Sequence, residues 1–101
     1  MKQKAIRIKK IRESARGMDC TVESPYCSHD PETTVFAHYG EPGEKGMRIK
    51  PDDTSGFYAC YECHNFVDSR STNTRGDDVE WYCFRAMRRT FALLVRNGVL
   101  K

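Results

Sequence analysis

Two pairs of cysteines, far apart in the chain, constrain the fold of this sequence more than any other feature. Cys20 and Cys27 form the first pair, and Cys60 and Cys63 form the second. Each pair can supply two thiolates from one local segment, and four thiolates complete the tetrahedral coordination of a zinc ion. The pattern therefore predicts a zinc site that joins the two segments. Because four thiolates leave no open position for water, this zinc is predicted to be structural.

The cysteine spacing also allows other interpretations. Six residues separate Cys20 from Cys27, so this segment must be an open loop rather than a tight turn. The two pairs could be unrelated and metal-free. Cys60 and Cys63 have the spacing of a redox-active dithiol, but no strand–helix–strand pattern surrounds them. The fifth cysteine, Cys83, lies in a predicted helix and is expected to be a small buried hydrophobic residue.

The length and composition favour one small domain stabilised by a metal. A chain of 101 residues is long enough for a single domain with a modest core, which a bound metal would supplement. There is no long apolar run for a membrane span, and the first residues lack the apolar centre of a signal peptide. The predicted location is the cytoplasm, where cysteines remain reduced and available as metal ligands.

Residue periodicity predicts an α+β domain with a helix at each end. The spacing of Ile8, Ile11 and Ala15 indicates a basic N-terminal helix within residues 1–17, ending at Gly17. Residues 33–38 and 47–50 are predicted strands, and residues 64–70 are a predicted short helix within a core that spans 18–70. The clearest helix covers 77–97, with Asp77 or Asp78 as its cap and Asn97-Gly98 as its end. Its predicted core-facing stripe consists of Trp81, Phe84, Met87, Phe91, Leu94 and Val95.

Basic residues are concentrated at the two ends of the chain. Lys9, Lys10, Arg12 and Arg16 lie in the first segment, and Arg85, Arg88, Arg89 and Arg96 lie in the last helix. Such clusters suit a phosphate-rich partner. The net charge is only +3, however, and charge alone is equally consistent with two solvated helix faces.

Two histidines lie next to the predicted zinc segments. His38 ends a predicted strand, and His64 directly follows Cys63 at the start of a predicted helix. A histidine at a strand end is more often a structural residue than a catalytic base. The predicted zinc site makes a catalytic role more favourable. It would hold the two segments in a fixed relation, so that His38 and His64 could face each other across a separate active site.

These segments together resemble the HNH (His-Me finger) endonucleases of the treble-clef type. More narrowly, they are similar to the small prophage-encoded nuclease family typified by YbcO. The resemblance rests on Ser14-Ala15-Arg16-Gly17, on the run from Pro31 to Tyr39, and on Cys60 through His64. With the C-terminal helix it covers nearly the whole chain, and it implies one zinc-stabilised ββα-metal domain over residues 1–101.

The resemblance also implies a function, which is metal-dependent hydrolysis of DNA with weak sequence specificity. His38 would be the general base. His64 would bind a catalytic magnesium or manganese ion, and Lys9, Lys10, Arg12 and Arg16 would hold the DNA backbone. Ala37 departs from the pattern, since HNH enzymes commonly have a metal-binding aspartate or histidine there, and Thr54-Ser55-Gly56 replaces the middle asparagine. Asp52, Asp53 or Asn65 could complete the metal site. The alternative function is a non-catalytic zinc-stabilised module that binds DNA or protein.

Overall fold

A computed structural model describes residues 6–39, 52–68 and 76–100. The order of the elements is α1 (Lys9–Glu13), a 3₁₀ helix (Pro31–Thr33), β1 (Val35–His38), β2 (Gly56–Ala59), α2 (Tyr61–Asp68) and α3 (Gly76–Arg96). The predicted small α+β class is therefore confirmed, with a two-stranded sheet at its centre. The predicted strand at 47–50 lies outside the described residues.

The two strands form an antiparallel pair in which β2 is buried along its whole length and β1 is exposed at Val35. Val35 is opposite Ala59, and His38 is opposite Gly56. Gly56 is required by close packing, because a Cβ atom there would lie 2.4 Å from the ring of Phe36. Side chains alternate along the strands, so Ala37, Phe57 and Ala59 join the core that contains the cysteines. Phe36 and Tyr58 face a second cluster, which also contains Ile11, Ala15 and Leu94.

The first helix is shorter than predicted, although its apolar side is correct. Ile11 and Ala15 are buried, but the helix covers only Lys9–Glu13. Ile8 is extended, with φ −126° and ψ 100°. The amides of Ile6 and Ile8 donate to Asp52 and Asp53, respectively. These long-range hydrogen bonds hold the preceding residues outside the helix.

The second helix begins earlier than predicted. It starts at Tyr61, so Cys63 lies within its first turn, and it presents Phe66 and Val67 to the core as expected. None of the helices in the described part of the chain is long and apolar enough to cross a membrane.

The buried side of α3 differs from the predicted apolar stripe, and this prediction was largely wrong. Trp81, Phe84, Phe91 and Val95 are exposed, Met87 packs only at the edge of the core, and Leu94 alone of the predicted stripe is buried. The buried side instead consists of Val79, Cys83, Ala86, Thr90 and Leu94. These residues are smaller because the helix packs closely against β2. The predicted end of the helix is confirmed by Gly98, which has φ +77°, and by the bond from the Val99 amide to the Leu94 carbonyl.

A buried pair of threonines connects α3 to the outer edge of β2. The Tyr58 amide donates to Oγ1 of Thr90 at 3.1 Å. Thr21 Oγ1 donates to the Tyr58 carbonyl at 2.9 Å, and the two threonine hydroxyls are 2.9 Å apart. The Thr21 amide also donates to the Tyr58 carbonyl, so the backbone groups of the edge strand at Tyr58 are satisfied by Thr21 and Thr90 rather than by a third strand.

Removing the Thr90 hydroxyl is expected to destabilise the fold. Thr90→Val keeps the side-chain shape but leaves the buried Tyr58 amide without a partner, which should cost about 1–3 kcal/mol of unfolding free energy. Thr90→Ser keeps the hydroxyl and is the matched control. Urea unfolding followed by circular dichroism measures both variants, and equal stability of Thr90→Val and Thr90→Ser would show that this hydrogen bond contributes little.

Candidate metal centre and active site

The four predicted zinc ligands converge at one point. Cys20 and Cys27 come from the loop after α1, Cys60 follows β2, and Cys63 lies in the first turn of α2. Their four sulfur atoms all lie within 4.8 Å of one another, and the Cys27 and Cys60 sulfurs are 3.8 Å apart. Zinc–sulfur bonds of about 2.3 Å in a tetrahedron place the sulfurs about 3.8 Å apart. The donor set and its spacing therefore fit a zinc ion, and all five cysteines of the chain are free of disulfides.

The loop between the first two cysteines is open, as its length predicts. Glu23 has φ 49°, a left-handed conformation that helps to turn the chain, and the Cys27 amide donates to the Ser24 carbonyl at 3.0 Å. Ser24 Oγ lies 3.2 Å from the Cys63 sulfur, and His29 Nδ1 lies 3.7 Å from the Cys27 sulfur. Sequence reasoning missed these two neighbours, because nothing in the sequence spacing indicates which loop side chains turn towards the sulfurs.

Hydrogen bonds and burial within the cluster give the four thiols different pKa values. The hydrogen bond with Cys63 lowers the pKa of Cys20 to about 5, and the same contact together with burial raises the pKa of Cys63. Burial raises the pKa of Cys27 to about 11. A cluster of this kind already favours a thiolate, the form that binds metal.

His38 contacts a buried carboxylate at the other end of the sheet. Its Nε2 atom lies 2.7 Å from Oδ1 of Asp53, and its ring meets the ring of Phe36 edge-to-face at 5.3 Å between centroids. The His38 side chain is 23% exposed, whereas the Asp53 side chain is fully buried. His38 is thus held in one orientation and remains accessible to solvent.

Asp53 is also bound by the N-terminal segment. The Ile8 amide and Arg12 Nη1 donate to its Oδ2 atom at 2.5 Å and 2.7 Å, and Arg7 Nη1 lies 3.5 Å from Oδ1. Burial raises the pKa of Asp53, but the hydrogen bonds from His38 and Ile8 and the charges of Arg7 and Arg12 lower it below its usual value. The resulting stabilisation is present above about pH 4 and is lost as the pH falls through the lowered folded-state pKa.

The remaining predicted site residues occupy separate places. His64 lies on the exposed side of α2, where Nε2 is 3.7 Å from Oδ2 of Asp68. The two histidines therefore have different carboxylate neighbours. Lys9 pairs with Glu13 at 3.8 Å, and Arg12 is directed to Asp53. Lys10 and Arg16 are exposed and have no side-chain partner among residues 6–39, 52–68 and 76–100.

Asp52 and Asp53, two candidates for completing a second metal site, already have hydrogen-bond partners. Asp52 accepts a hydrogen bond from the Ile6 amide at 2.7 Å, and Asp53 is bound by two arginines and His38. Ala37 is buried in the core next to the cysteines. Within the described ranges, the four cysteines are the one group of three or more metal-binding side chains that lie close together. The sequence indicated Asp53 only as a possible metal ligand. Its ion pair with Arg12 joins residues that are 41 positions apart, and no short-range sequence pattern predicts such a pair.

Comparison with known proteins places this arrangement in a family. The family model "Putative nuclease YbcO" matches residues 9–99. The chain belongs to the YbcO putative nuclease family. It is 34% identical over 92 residues to "Putative nuclease YbcO" of Escherichia coli (strain K12), covering 90% of this chain and 96% of that relative. The same identity and coverage hold for "Putative nuclease ybcO" of Enterobacteria phage 82.

A solved structure has the same fold. It is described as "Structure of a putative bacteriophage protein from Escherichia coli str. K-12 substr. MG1655" and superposes with a TM-score of 0.71 at 32% identity. The match covers 88% of this chain and 100% of that one. The YbcO family match thus includes all four cysteines, His38, Asp53 and His64.

The first prediction for this site concerns metal content. Purified protein should contain about one equivalent of zinc, and Cys63→Ser should lose both the zinc and cooperative unfolding, because metal binding and folding are coupled. Cys83→Ala is the matched control, since Cys83 is equally buried but lies outside the cluster. Elemental analysis and thermal unfolding measure both effects. Full zinc content in Cys63→Ser would contradict the four-cysteine site.

The second prediction concerns Asp53. Asp53→Ala leaves Arg12 and His38 without their partner and should lower the unfolding free energy by about 3 kcal/mol. The control, Asp52→Ala, removes a single hydrogen bond that is more exposed to solvent, and it should lower the unfolding free energy by about 1 kcal/mol or less. Urea unfolding at pH 7 with zinc present compares the two. Similar losses for the two neighbouring carboxylates would show that the buried network does not hold the N-terminal segment.

Proposed function

We propose that this protein is a metal-dependent endonuclease that hydrolyses DNA phosphodiester bonds, with His38 as the general base. The observation that carries the proposal is the 2.7 Å contact between His38 and the buried Asp53. A partly exposed histidine held by a buried carboxylate is a common arrangement for proton transfer. Membership of a putative nuclease family supplies the reaction class.

The contact with Asp53 supports a different role for each nitrogen of His38 in this proposal. Nε2 faces Asp53, so the proton belongs on Nε2 and Nδ1 is left unprotonated to act as the base. Nδ1 would take a proton from the attacking water as its oxygen bonds to phosphorus. The bond from phosphorus to the 3′ oxygen then breaks, and that oxygen takes up a proton from solvent. Asp53 stabilises the positive charge that forms on the ring.

His64 is the proposed ligand for a catalytic magnesium or manganese ion. Its imidazole lies beside the Asp68 carboxylate on an exposed helix face, and this donor chemistry suits a divalent ion. Such an ion would neutralise the scissile phosphate and stabilise the leaving oxygen. Magnesium sites often use one or two protein ligands together with substrate phosphates, so a complete protein cage is not required.

The basic residues of the first segment are proposed to hold the DNA backbone. Lys10 and Arg16 are exposed and suited to contact phosphates. Lys9 and Arg12 remain part of this proposal, with Arg12 able to contribute positive charge near His38 from its position beside Asp53. Contacts of this kind carry no base information, so weak sequence specificity is expected.

The assignment to the HNH type, with a treble-clef ββα-metal core, is also proposed. It is supported by the order of β1, β2 and α2, by His38 at the end of β1, and by cysteines at the junction of β2 and α2. In this assignment Asp53, rather than the missing asparagine, orients the base.

A non-catalytic zinc-stabilised module that binds DNA or protein remains the second candidate. The observation in its favour is Ala37, which lies in the core where HNH enzymes commonly have a metal ligand. Asp53 also already has arginine partners. Both candidates bind zinc, so only cleavage separates them.

The decisive experiment is plasmid cleavage with added magnesium or manganese. His38→Ala should reduce cleavage by at least about a hundredfold while the zinc content stays unchanged, because general-base catalysis typically contributes 10²–10⁴-fold. His64→Ala should also lose activity, but higher manganese should restore part of it, since a weakened site can be refilled by mass action.

Cleavage that persists unchanged in His38→Ala, after nuclease contamination has been excluded, would reject the His38 mechanism. Absence of cleavage by the zinc-loaded wild type on supercoiled, nicked, branched and single-stranded DNA would favour the binding module.

A further inference from the structure

The outer face of α3 carries a stripe of exposed rings that lie outside the two core clusters. Trp81, Phe84 and Phe91 are 56%, 55% and 61% exposed, and Val95 is 50% exposed. With Arg88 they are spaced alternately three and four residues apart, so they lie along one side of the helix. This outer stripe is defined as Trp81, Phe84, Arg88, Phe91 and Val95. Exposed rings at this density mark an interaction surface.

The charge of α3 indicates what kind of partner fits the outer stripe. After Glu80 the chain contains no acidic residue, but it contains four arginines within α3. Arg85 and Arg89 bind Val22 and Glu23. Arg88 and Arg96 are exposed and have no partner among the described residues. A second copy of the chain would bring like charges together, whereas a polyanion with flat apolar groups would satisfy both the arginines and the rings.

Trp81 is already held as a platform for stacking. The guanidinium carbon of Arg85 lies 4.6 Å from the centre of the Trp81 ring, and Arg85 donates to the Val22 carbonyl at 2.7 Å. The ring is therefore supported from one side by a cation that is anchored to the cysteine loop. Its exposed fraction leaves room for another planar group.

The outer stripe is continuous with the candidate active site. The ring of Phe84 packs against Tyr39 at 5.5 Å between centroids, and Tyr39 directly follows His38. The Tyr39 hydroxyl donates to Glu80 at 2.5 Å, which fixes this connection. A strand bound along α3 would thus lead towards His38.

We propose that the outer stripe binds single-stranded DNA by stacking bases on Trp81, Phe84 and Phe91, with Arg88 and Arg96 on the phosphates. Stacking requires unpaired bases, because the bases of a duplex are already stacked on one another. The role of the outer stripe rests on the proposed nuclease function. In that role it selects substrates that have an unpaired segment beside the cleavage site.

Trp81 is the sole tryptophan of the chain, so its fluorescence reports binding directly. Titration of the zinc-loaded protein with an oligothymidylate, without magnesium or manganese, should quench this fluorescence. A blunt-ended duplex of two complementary strands with the same total number of phosphates should bind at least about tenfold more weakly. Arg88→Ala should reduce the slope of log affinity against log salt by about 0.7.

Substitutions of Phe84 and Phe91 separate stacking from simple apolar contact. Phe84→Ala and Phe91→Ala should each weaken single-strand binding by about tenfold. Phe84→Leu should bind as weakly as Phe84→Ala, while Phe84→Tyr should bind like the wild type. Tyr61→Ala removes an exposed ring on α2, outside the outer stripe; it is the control and should keep full affinity.

Equal affinity for the duplex, or unchanged single-strand binding in both Phe84→Ala and Phe91→Ala, overturns the proposal. Full binding by Phe84→Leu also overturns it, because an apolar contact rather than ring stacking would then hold the strand. So does a dimer, measured by sedimentation, that dissociates in Phe84→Ala. These binding outcomes are independent of catalysis. Binding that depends on the outer stripe, without any cleavage, refutes only the nuclease proposal. Cleavage that depends on His38, with single-strand binding unchanged in Phe84→Ala and Phe91→Ala, refutes only the stacking proposal.

Discussion

The convergence of four cysteine sulfurs is the constraint on which the rest of this structure depends. The sheet has two strands of four residues each, which is too little to be stable alone. The cysteines join the 20–27 loop to the end of β2 and to the first turn of α2. A metal bound by thiolates links these segments far more strongly than the contacts of a small core, since its binding free energy becomes folding free energy. The positions of His38 and His64 then follow, because β1 pairs with β2 and α2 begins at the cluster.

A second constraint operates at the opposite end of the sheet, where Asp53 is buried. A buried carboxylate is tolerated only when its charge is compensated, and Arg12, Arg7 and the Ile8 amide provide this compensation. The same contacts attach the N-terminal segment to the rest of the domain. His38 uses the remaining side of the carboxylate, so one residue contributes both to stability and to the orientation of the proposed base.

The two sides of the last helix differ in the size and burial of their residues. Its inner side is built from small residues and Thr90, which allow it to lie against β2 and to satisfy the strand edge. The large rings are therefore excluded from the core and lie in solvent beside arginines. This division explains why the most apolar part of α3 faces outward, and why a surface suited to stacking extends from Tyr39 along the helix.

The sequence alone determined the elements whose signals are local. The cysteine pairs identified the cluster that could hold zinc, Asn97-Gly98 marked the end of α3, and Ile11 with Ala15 indicated the buried side of α1 and the turn after it. Motif resemblance led to the YbcO putative nuclease family, to which the comparisons assign the chain.

Only the tertiary structure decided which side of α3 is buried and where Asp53 is bound. Helical spacing shows that residues share a face, but the depth available against β2 selects Ala86 and Thr90 over Trp81 and Phe84. The N-terminal partners of Asp53 lie more than forty residues away, in α1 and the segment before it. A pairing over that separation depends on the packed position of the whole N-terminal segment, which no local pattern encodes.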